Sequence, residues 1–148
     1  MDIYLPSNDT TRVSKPVTFA IFGASSGGHL AAMYGYAWDK STRSVKIVVN
    51  IVGPTDLTVP AYENHPEPER FFNCVGPCLH AECPEMYERA SPIYHVDADS
   101  PRTIGFFGTL DFLILPSQMY SLQAKLVEAG VVNKFTLYPG EHWDNWWD

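Results

Sequence analysis

The stretch from Val17 to Tyr36 constrains the fold of this chain more than any other part of the sequence. The apolar run Val17–Phe22 has the length and composition of a buried strand. The segment Gly23-Ala24-Ser25-Ser26-Gly27-Gly28 follows directly, and a helical pattern begins after it. A strand that turns through small residues into a helix, with Ser25 at the centre of a G-x-S-x-G motif, is typical of a nucleophile elbow.

The spacing of this motif has a physical reason. A strand that reverses into a helix within a few residues forces the central residue into a strained conformation and lifts its side chain clear of the sheet. The motif's outer residues, Gly23 and Gly27, must be small, because a Cβ there would collide with the turn. The N–H of Ser26, at the helix start, then faces an oxyanion formed beside Ser25. On the motif alone, the alternatives are a turn without chemistry, an anion-binding turn, and Ser26 as the nucleophile.

The rest of the chain alternates strands with helices. Three further apolar runs predict strands, at Val45–Val52, Thr103–Phe107 and Lys134–Tyr138. Apolar residues at helical spacing predict helices over Ser26–Tyr36 and Ser117–Ala129, the second ending at Gly130. This alternation predicts an α/β fold with a mostly parallel sheet that helices cover on both faces.

A proline-rich segment interrupts the alternation at about residues 57–90. We interpret it as an irregular, lid-like insertion in one partial domain that spans residues 1–148. Short helices are expected near Pro68–Cys74 and Pro84–Ala90, and a brief edge strand at residues 2–5. The cysteines of the chain lie in or beside this segment, at Cys74, Cys78 and Cys83. Free thiols are the default expectation, and a local disulfide or a metal site is the alternative.

Charge and hydropathy exclude several classes of function. The net charge is −7 and no basic run occurs, which argues against nucleic-acid and anionic-membrane binding. No apolar stretch approaches the length that spans a bilayer. The first residues lack a signal-peptide pattern, so we expect a cytoplasmic protein. We also expect a small-molecule substrate and neither a cofactor nor a metal.

Chemically useful side chains follow the ends of the predicted strands. Ser25 follows the first strand, Asp111 the third and His142 the last. Because the carboxyl ends of parallel strands form one edge of the sheet, these three residues are expected to meet there. Their order along the chain is that of the α/β-hydrolase triad. Asp56, after the second strand, is a competing acid, and His29 is expected to pack or hydrogen-bond rather than react.

The chain resembles α/β-hydrolase-fold carboxylesterases, especially the acetyl-esterase/lipase group related to hormone-sensitive lipase and to feruloyl-esterase-like enzymes. The matching segments are Gly23–Ala32, Gly53–Leu57, Ala90–Ile93, Gly108–Asp111, Pro116–Gln118 and Tyr138–His142. The resemblance implies the C-terminal half of an α/β-hydrolase fold and a serine carboxylic-ester hydrolase that acts on small acyl esters through an acyl-enzyme. It implies Ser25 as nucleophile, His142 as general base and then acid, and Asp111 as the residue that orients His142.

Two features depart from the family pattern. Ten residues separate Pro6 from Val17, where family members carry further strands. No His-Gly pair occurs in the sequence, although a His-Gly-Gly loop supplies the family's second oxyanion donor. We therefore expect a truncated hydrolase whose first strand, open at one edge, pairs with a second copy of the chain. The alternative is a non-catalytic hydrolase-fold remnant that serves as a binding or interaction module.

Overall fold

Four parallel strands form the sheet of this computed structural model, which describes residues 17–63, 65, 68–69, 71, 75–76 and 78–144. The strands are β1 (Phe19–Ala24), β2 (Val45–Ile51), β3 (Arg102–Gly108) and β4 (Asn133–Tyr138). They lie side by side in sequence order, and each pairs in parallel with the next. The predicted α/β class with a parallel sheet is confirmed.

The connections between the strands are mostly helical. They contain α1 (Ser26–Met33), which continues into a π-helical turn (Tyr34–Trp38), then α2 (Pro60–Glu63), α3 (Pro84–Ala90), a 3₁₀ turn (Pro92–His95) and α4 (Pro116–Glu128). The expected helix at Pro84–Ala90 is confirmed. The expected edge strand at residues 2–5 lies outside the described residues, and most of Pro68–Cys74 does too. Of the described helices, none has both the length and the apolar character that crossing a membrane requires.

In the described part of the chain, helices cover one face of the sheet. Side chains from α1 and α4 share a core cluster with Val48 of β2, and α2 and α3 share another with Phe107 of β3. Phe135 of β4 packs against both clusters. Residues of the opposite face, such as Val49 and Phe106, are half-buried and belong to neither cluster. The expectation of helices on both faces is therefore met on one face only within the described residues.

The insertion is anchored in the core by its aromatic residues. Tyr62, Phe71 and Tyr87 are buried in the cluster that contains Phe107. The Tyr87 hydroxyl donates a hydrogen bond to the Cys78 carbonyl at 2.8 Å. Cys78 and Cys83 form a disulfide five residues apart. The expectation of free thiols is therefore wrong for these two residues, because the loop between them brings their side chains together; Cys74 lies outside the described residues.

Candidate active site

Ser25 occupies the sharp turn between β1 and α1. Its backbone has φ 52° and ψ −123°, in a region that residues with a Cβ rarely adopt. The Ser25 N–H donates to the Ile51 carbonyl at 2.8 Å, and its own carbonyl accepts from the His29 N–H at 3.0 Å. These bonds tie the turn to β2 on one side and to the first turn of α1 on the other. The predicted strained turn between strand and helix is confirmed.

The small residues around the turn differ in their importance. A Cβ on Gly23 would lie 2.2 Å from the Gly27 carbonyl carbon, so only glycine fits there. A Cβ on Gly27 would meet nothing within 4 Å. On Gly28 it would lie 2.5 Å from Asn50 Oδ1 and 2.9 Å from the Gly23 oxygen. The steric requirement predicted for both outer glycines of the motif therefore holds for Gly23 but is wrong for Gly27, since Gly28 is the residue of α1 that faces the strands.

A chain of hydrogen bonds joins the three residues predicted from the strand ends. Ser25 Oγ lies 3.0 Å from His142 Nε2, and His142 Nδ1 lies 2.7 Å from Asp111 Oδ2. His142 and Asp111 are each only 2% exposed. When Nδ1 carries the proton and donates it to the carboxylate, Nε2 presents its lone pair to the Ser25 hydroxyl. This arrangement can withdraw the proton of a serine hydroxyl as its oxygen attacks.

The competing acid, Asp56, makes side-chain hydrogen bonds within its own loop. Asp56 Oδ1 accepts from the Thr58 N–H at 2.9 Å and from the Thr58 hydroxyl at 2.6 Å. This local turn occupies the carboxylate that the sequence offers as an alternative partner for the histidine. In the described part of the chain, the imidazole of His142 is bonded to Asp111 instead.

The loops that carry Asp111 and His142 are held by their own backbone. Asp111 Oδ1 accepts hydrogen bonds from the N–H groups of Leu113 and Ile114, at 2.9 and 2.8 Å. The Leu110 N–H donates to the Gly140 carbonyl at 2.9 Å, which joins the two loops directly. With one carboxylate oxygen fixed by the backbone, the other is aimed at His142 before any substrate arrives.

An apolar cavity of about 200 Å³ opens beside Ser25. It is lined by Ser25, Ser26, His29, Pro54, Leu57, Phe71, Leu113, Ile114 and Trp143. The His29 Nδ1 donates to the Pro54 carbonyl at 3.0 Å, and burial lowers the pKa of this imidazole below its usual value. The lining therefore carries no charge at neutral pH, which suits an uncharged group. Among the described residues, no three His, Cys, Asp or Glu side chains are grouped so as to hold a metal ion.

Gln118 supports the cavity wall, and the sequence reasoning assigned it no role. The buried Gln118 Oε1 accepts from the N–H groups of Thr55 and Asp56 at 2.8 and 2.7 Å. Its Nε2 donates to the Asp56 carbonyl at 2.9 Å, which fixes the loop that brings Leu57 to the cavity. A signal was present, since Gln118 stands four residues before Leu122 on the apolar side of α4. A polar residue in such a stripe needs a buried partner.

A family model described as BD-FAE matches residues 3–126. The chain belongs to the BD-FAE family. No curated protein matches the chain. The BD-FAE model covers Ser25, Asp111 and the cavity residues up to Ile114, and it ends before His142.

Solved structures similar to this BD-FAE chain include an esterase, a hydrolase and a peptidase. A truncated form of a carbohydrate esterase from gut microbiota is 27% identical, with 86% of this chain and 53% of that chain covered and a TM-score of 0.64. An acetyl ester-xyloside bifunctional hydrolase from Caldicellulosiruptor lactoaceticus is 20% identical, with coverages of 84% and 47% and a TM-score of 0.65. A Mycobacterium tuberculosis puromycin-hydrolyzing peptidase is 21% identical, with coverages of 87% and 19% and a TM-score of 0.72.

The comparisons agree with the resemblance predicted from the sequence. The described sheet and helices share the α/β-hydrolase fold with these structures, and the family is of the esterase or hydrolase type. The chain spans about half the length of the first two structures. The predicted family is thus confirmed.

Proposed function

We propose that this BD-FAE chain is a serine carboxylic-ester hydrolase that acts on small acyl esters through an acyl-enzyme. The observation that carries the proposal is the hydrogen-bond chain from Ser25 Oγ through His142 to Asp111, with distances of 3.0 and 2.7 Å. A family of the esterase or hydrolase type supports the same reaction class. The uncharged cavity beside Ser25 supports an apolar, neutral acyl group.

The proposed reaction has two halves that use the same residues. In the first, Ser25 Oγ attacks the acyl carbon while His142 Nε2 takes its proton, and Asp111 stabilises the resulting imidazolium. His142 then returns this proton to the alcohol oxygen as the carbon–oxygen bond breaks, which leaves an acyl group on Ser25. In the second half, water attacks the acyl carbon, His142 again accepts and returns a proton, and the acid departs.

The tetrahedral intermediate of each half carries a negative oxygen that needs hydrogen-bond donors. Ser26 is the first residue of α1, so its N–H belongs to the helix donors that no preceding turn satisfies. We propose it as one oxyanion donor, with the positive end of α1 adding to the stabilisation. Loss of one such donor lowers turnover by about 10²–10³ in other enzymes.

We further propose a carbohydrate as the alcohol half of the ester. A solved relative of 27% identity is titled a carbohydrate esterase, and a second structure of the same fold is titled an acetyl ester-xyloside bifunctional hydrolase. A saccharide has many hydroxyls that can carry a small acyl group. The substrate class is therefore acylated sugars, with the acyl group in the cavity and the sugar toward solvent.

The test compares the chain with Ser25→Ala in two assays. We expect a fluorophosphonate probe to label the wild-type chain covalently and to leave Ser25→Ala unlabelled. We expect hydrolysis of p-nitrophenyl acetate to fall by at least about a thousandfold in the variant, because the nucleophile is lost. Ser121→Ala, which removes an exposed hydroxyl from α4, serves as the matched control and should behave as wild type.

Two outcomes contradict the proposal and point in different directions. Equal turnover by the wild type and a folded Ser25→Ala would place the reaction elsewhere on the surface. A folded wild-type chain that is neither labelled nor active would favour the alternative, a non-catalytic binding module. The specific observation behind that alternative is the lack of any His-Gly pair in the sequence, and with it the family's usual second donor.

A further inference from the structure

Trp143 lies at the mouth of the cavity, directly after His142. Its side chain is 63% exposed, yet it lines the same cavity as Ser25. The indole ring stands 4.4 Å from the His142 ring, centroid to centroid, with the two planes at 87°. One part of the indole is thus fixed against the imidazole while much of the ring faces solvent.

An exposed indole at this position is not explained by the fold. A buried tryptophan stabilises a domain by removing a large apolar area from water. Because Trp143 is mostly exposed, it contributes little of this stabilisation. It belongs to neither core cluster. The loop around it is nevertheless held in place, because the Glu141 N–H donates to Asp144 Oδ2 at 2.6 Å. The site therefore presents a flat, positioned aromatic surface beside the reacting atoms.

The chemistry of this surface suits one half of the ester. The cavity interior is apolar and uncharged, which suits the acyl group. The alcohol half must then extend past the rim, where an aromatic plane meets water. A saturated pyranose ring presents a face of C–H groups that packs flat on an indole, while its hydroxyls stay hydrated at the edge. No charge is required of either partner.

We propose that the exposed indole of Trp143 is the platform on which the pyranose ring of the alcohol half stacks during ester hydrolysis. The inference rests on the proposed function for its reaction and goes beyond it by naming the residue that selects a cyclic sugar over an acyclic alcohol. Contact with the imidazole ring holds the indole at a fixed distance from His142, so a stacked ring places its ester oxygen near the group that returns the proton.

The test measures kcat/KM for two acetate esters, acetylated methyl β-D-xylopyranoside and ethyl acetate. We compare kcat/KM for the xyloside ester with kcat/KM for ethyl acetate. We expect Trp143→Ala to lower the ratio of the first value to the second by about tenfold, mostly through a higher KM for the sugar ester, since one aromatic stacking contact is lost. Trp143→Phe keeps an aromatic face and should restore most of the ratio. Tyr120→Ala removes a ring of similar exposure, 55%, from α4 and should leave the ratio unchanged.

Several results would overturn the platform. An equal loss on both esters would mean that Trp143 acts through His142 and not on the sugar. An unchanged ratio in Trp143→Ala would mean that the ring stacks elsewhere or not at all. Failure of Trp143→Phe to recover the ratio, with that variant folded, would exclude stacking as the cause.

A second measurement separates this inference from the proposed function. Saturation-transfer NMR on the inactive Ser25→Ala protein reports binding of the acetylated xyloside without turnover. We expect saturation of the ring C–H protons in Ser25→Ala and its loss in Ser25→Ala with Trp143→Ala. If the wild type resists the fluorophosphonate but this difference persists, the proposed reaction fails, while the stacking of the pyranose ring on Trp143 is retained. If the two proteins give equal signals, the platform fails whatever the activity.

Discussion

The imidazole of His29 links the first helix to the loop after β2. Its Nδ1 donates to the Pro54 carbonyl, and burial lowers the pKa of the ring, so the folded chain keeps it neutral. In the unfolded chain the same ring titrates near its ordinary value of 6.5. The lowered pKa therefore couples the protonation of His29 to folding.

The sign of this coupling gives a prediction. Below pH 6.5 the unfolded chain binds a proton at residue 29 that the folded chain does not, so the free energy of unfolding falls as the pH falls. The contribution is fully present above pH 6.5 and is lost at up to about 1.4 kcal/mol per pH unit down to the folded pKa. His29→Asn keeps a donor for Pro54 but cannot titrate, so urea unfolding between pH 8 and about pH 5 should show a flatter pH dependence.

Comparison at pH 8 provides the control, because residue 29 is uncharged in both proteins there and any difference reports only the packing cost of the substitution. If the wild type and His29→Asn lose stability in parallel as the pH falls, His29 is not the source of the dependence.

The sequence predicts the proposed catalytic residues better than the residues that hold them in place. Ser25, Asp111 and His142 could be chosen because each directly follows an apolar run, and parallel strands bring their ends to one edge. The sequence does not predict the roles of Gln118 and Gly28. These roles depend on Asp56 and Asn50, which lie far from them along the chain. The apolar side of α4 indicates that Gln118 needs a buried partner, but no local pattern identifies the loop at Asp56 as that partner.

At the scale of elements, α1 approaches the strands closely at Gly28. Gly28 sits where a Cβ would meet Asn50 Oδ1 at 2.5 Å and the backbone of Gly23 and Gly53 at 2.9 and 3.2 Å. Two of these neighbours are backbone atoms, which cannot rotate away. Gly27, one residue earlier, has open space around it.

These neighbouring glycines make a matched pair of substitutions. We expect Gly28→Ala to lower the free energy of unfolding by about 3 kcal/mol, because an inserted methyl group forces the helix away from the strands. We expect Gly27→Ala to leave it unchanged or to raise it by up to about 1 kcal/mol, since alanine favours helix and meets no clash. Urea unfolding followed by tryptophan fluorescence measures both, and equal effects would contradict this account of the packing.

The elements themselves were largely predictable, with ends displaced by one or two residues. Predicted Val17–Phe22 is observed as Phe19–Ala24, and predicted Ser117–Ala129 as Pro116–Glu128. Apolar runs and caps locate elements well but leave their ends to tertiary hydrogen bonds. The four-residue helix Pro60–Glu63 was not predicted, because so short a helix has no periodicity to detect, and tertiary contacts of Tyr62 hold it.

At the scale of the whole molecule, the described sheet has an unpaired edge at β1 and one face that the described helices leave uncovered. β1 pairs with β2 along one edge, and no other described strand pairs with its second edge. Phe22 on this strand is 76% exposed, on the face that the described helices leave open. An apolar strand with a free edge is a template for pairing with another chain.

Self-association therefore remains our prediction for the isolated chain. Two copies can join their β1 strands and shelter Phe22, so the sedimentation coefficient should rise with protein concentration. Phe22→Glu places a charge on this strand and should shift the equilibrium toward monomer. Val127→Glu adds the same charge at a 64% exposed site on α4 and serves as the control. A wild-type chain that sediments as a monomer at every concentration would contradict the prediction.

The two carboxylate oxygens of Asp111 accept hydrogen bonds from different partners. One holds His142, and the other holds the N–H groups of Leu113 and Ile114, whose side chains form a wall of the cavity. Under the proposed function, a single carboxylate thus fixes both the general base and part of the surface that faces the acyl group. On that proposal, a substitution in residues 111–114 alters the rate together with the cavity, so relatives with other acyl groups are expected to vary Leu57 and Phe71, which line the same cavity, and to keep residues 111–114 as a block.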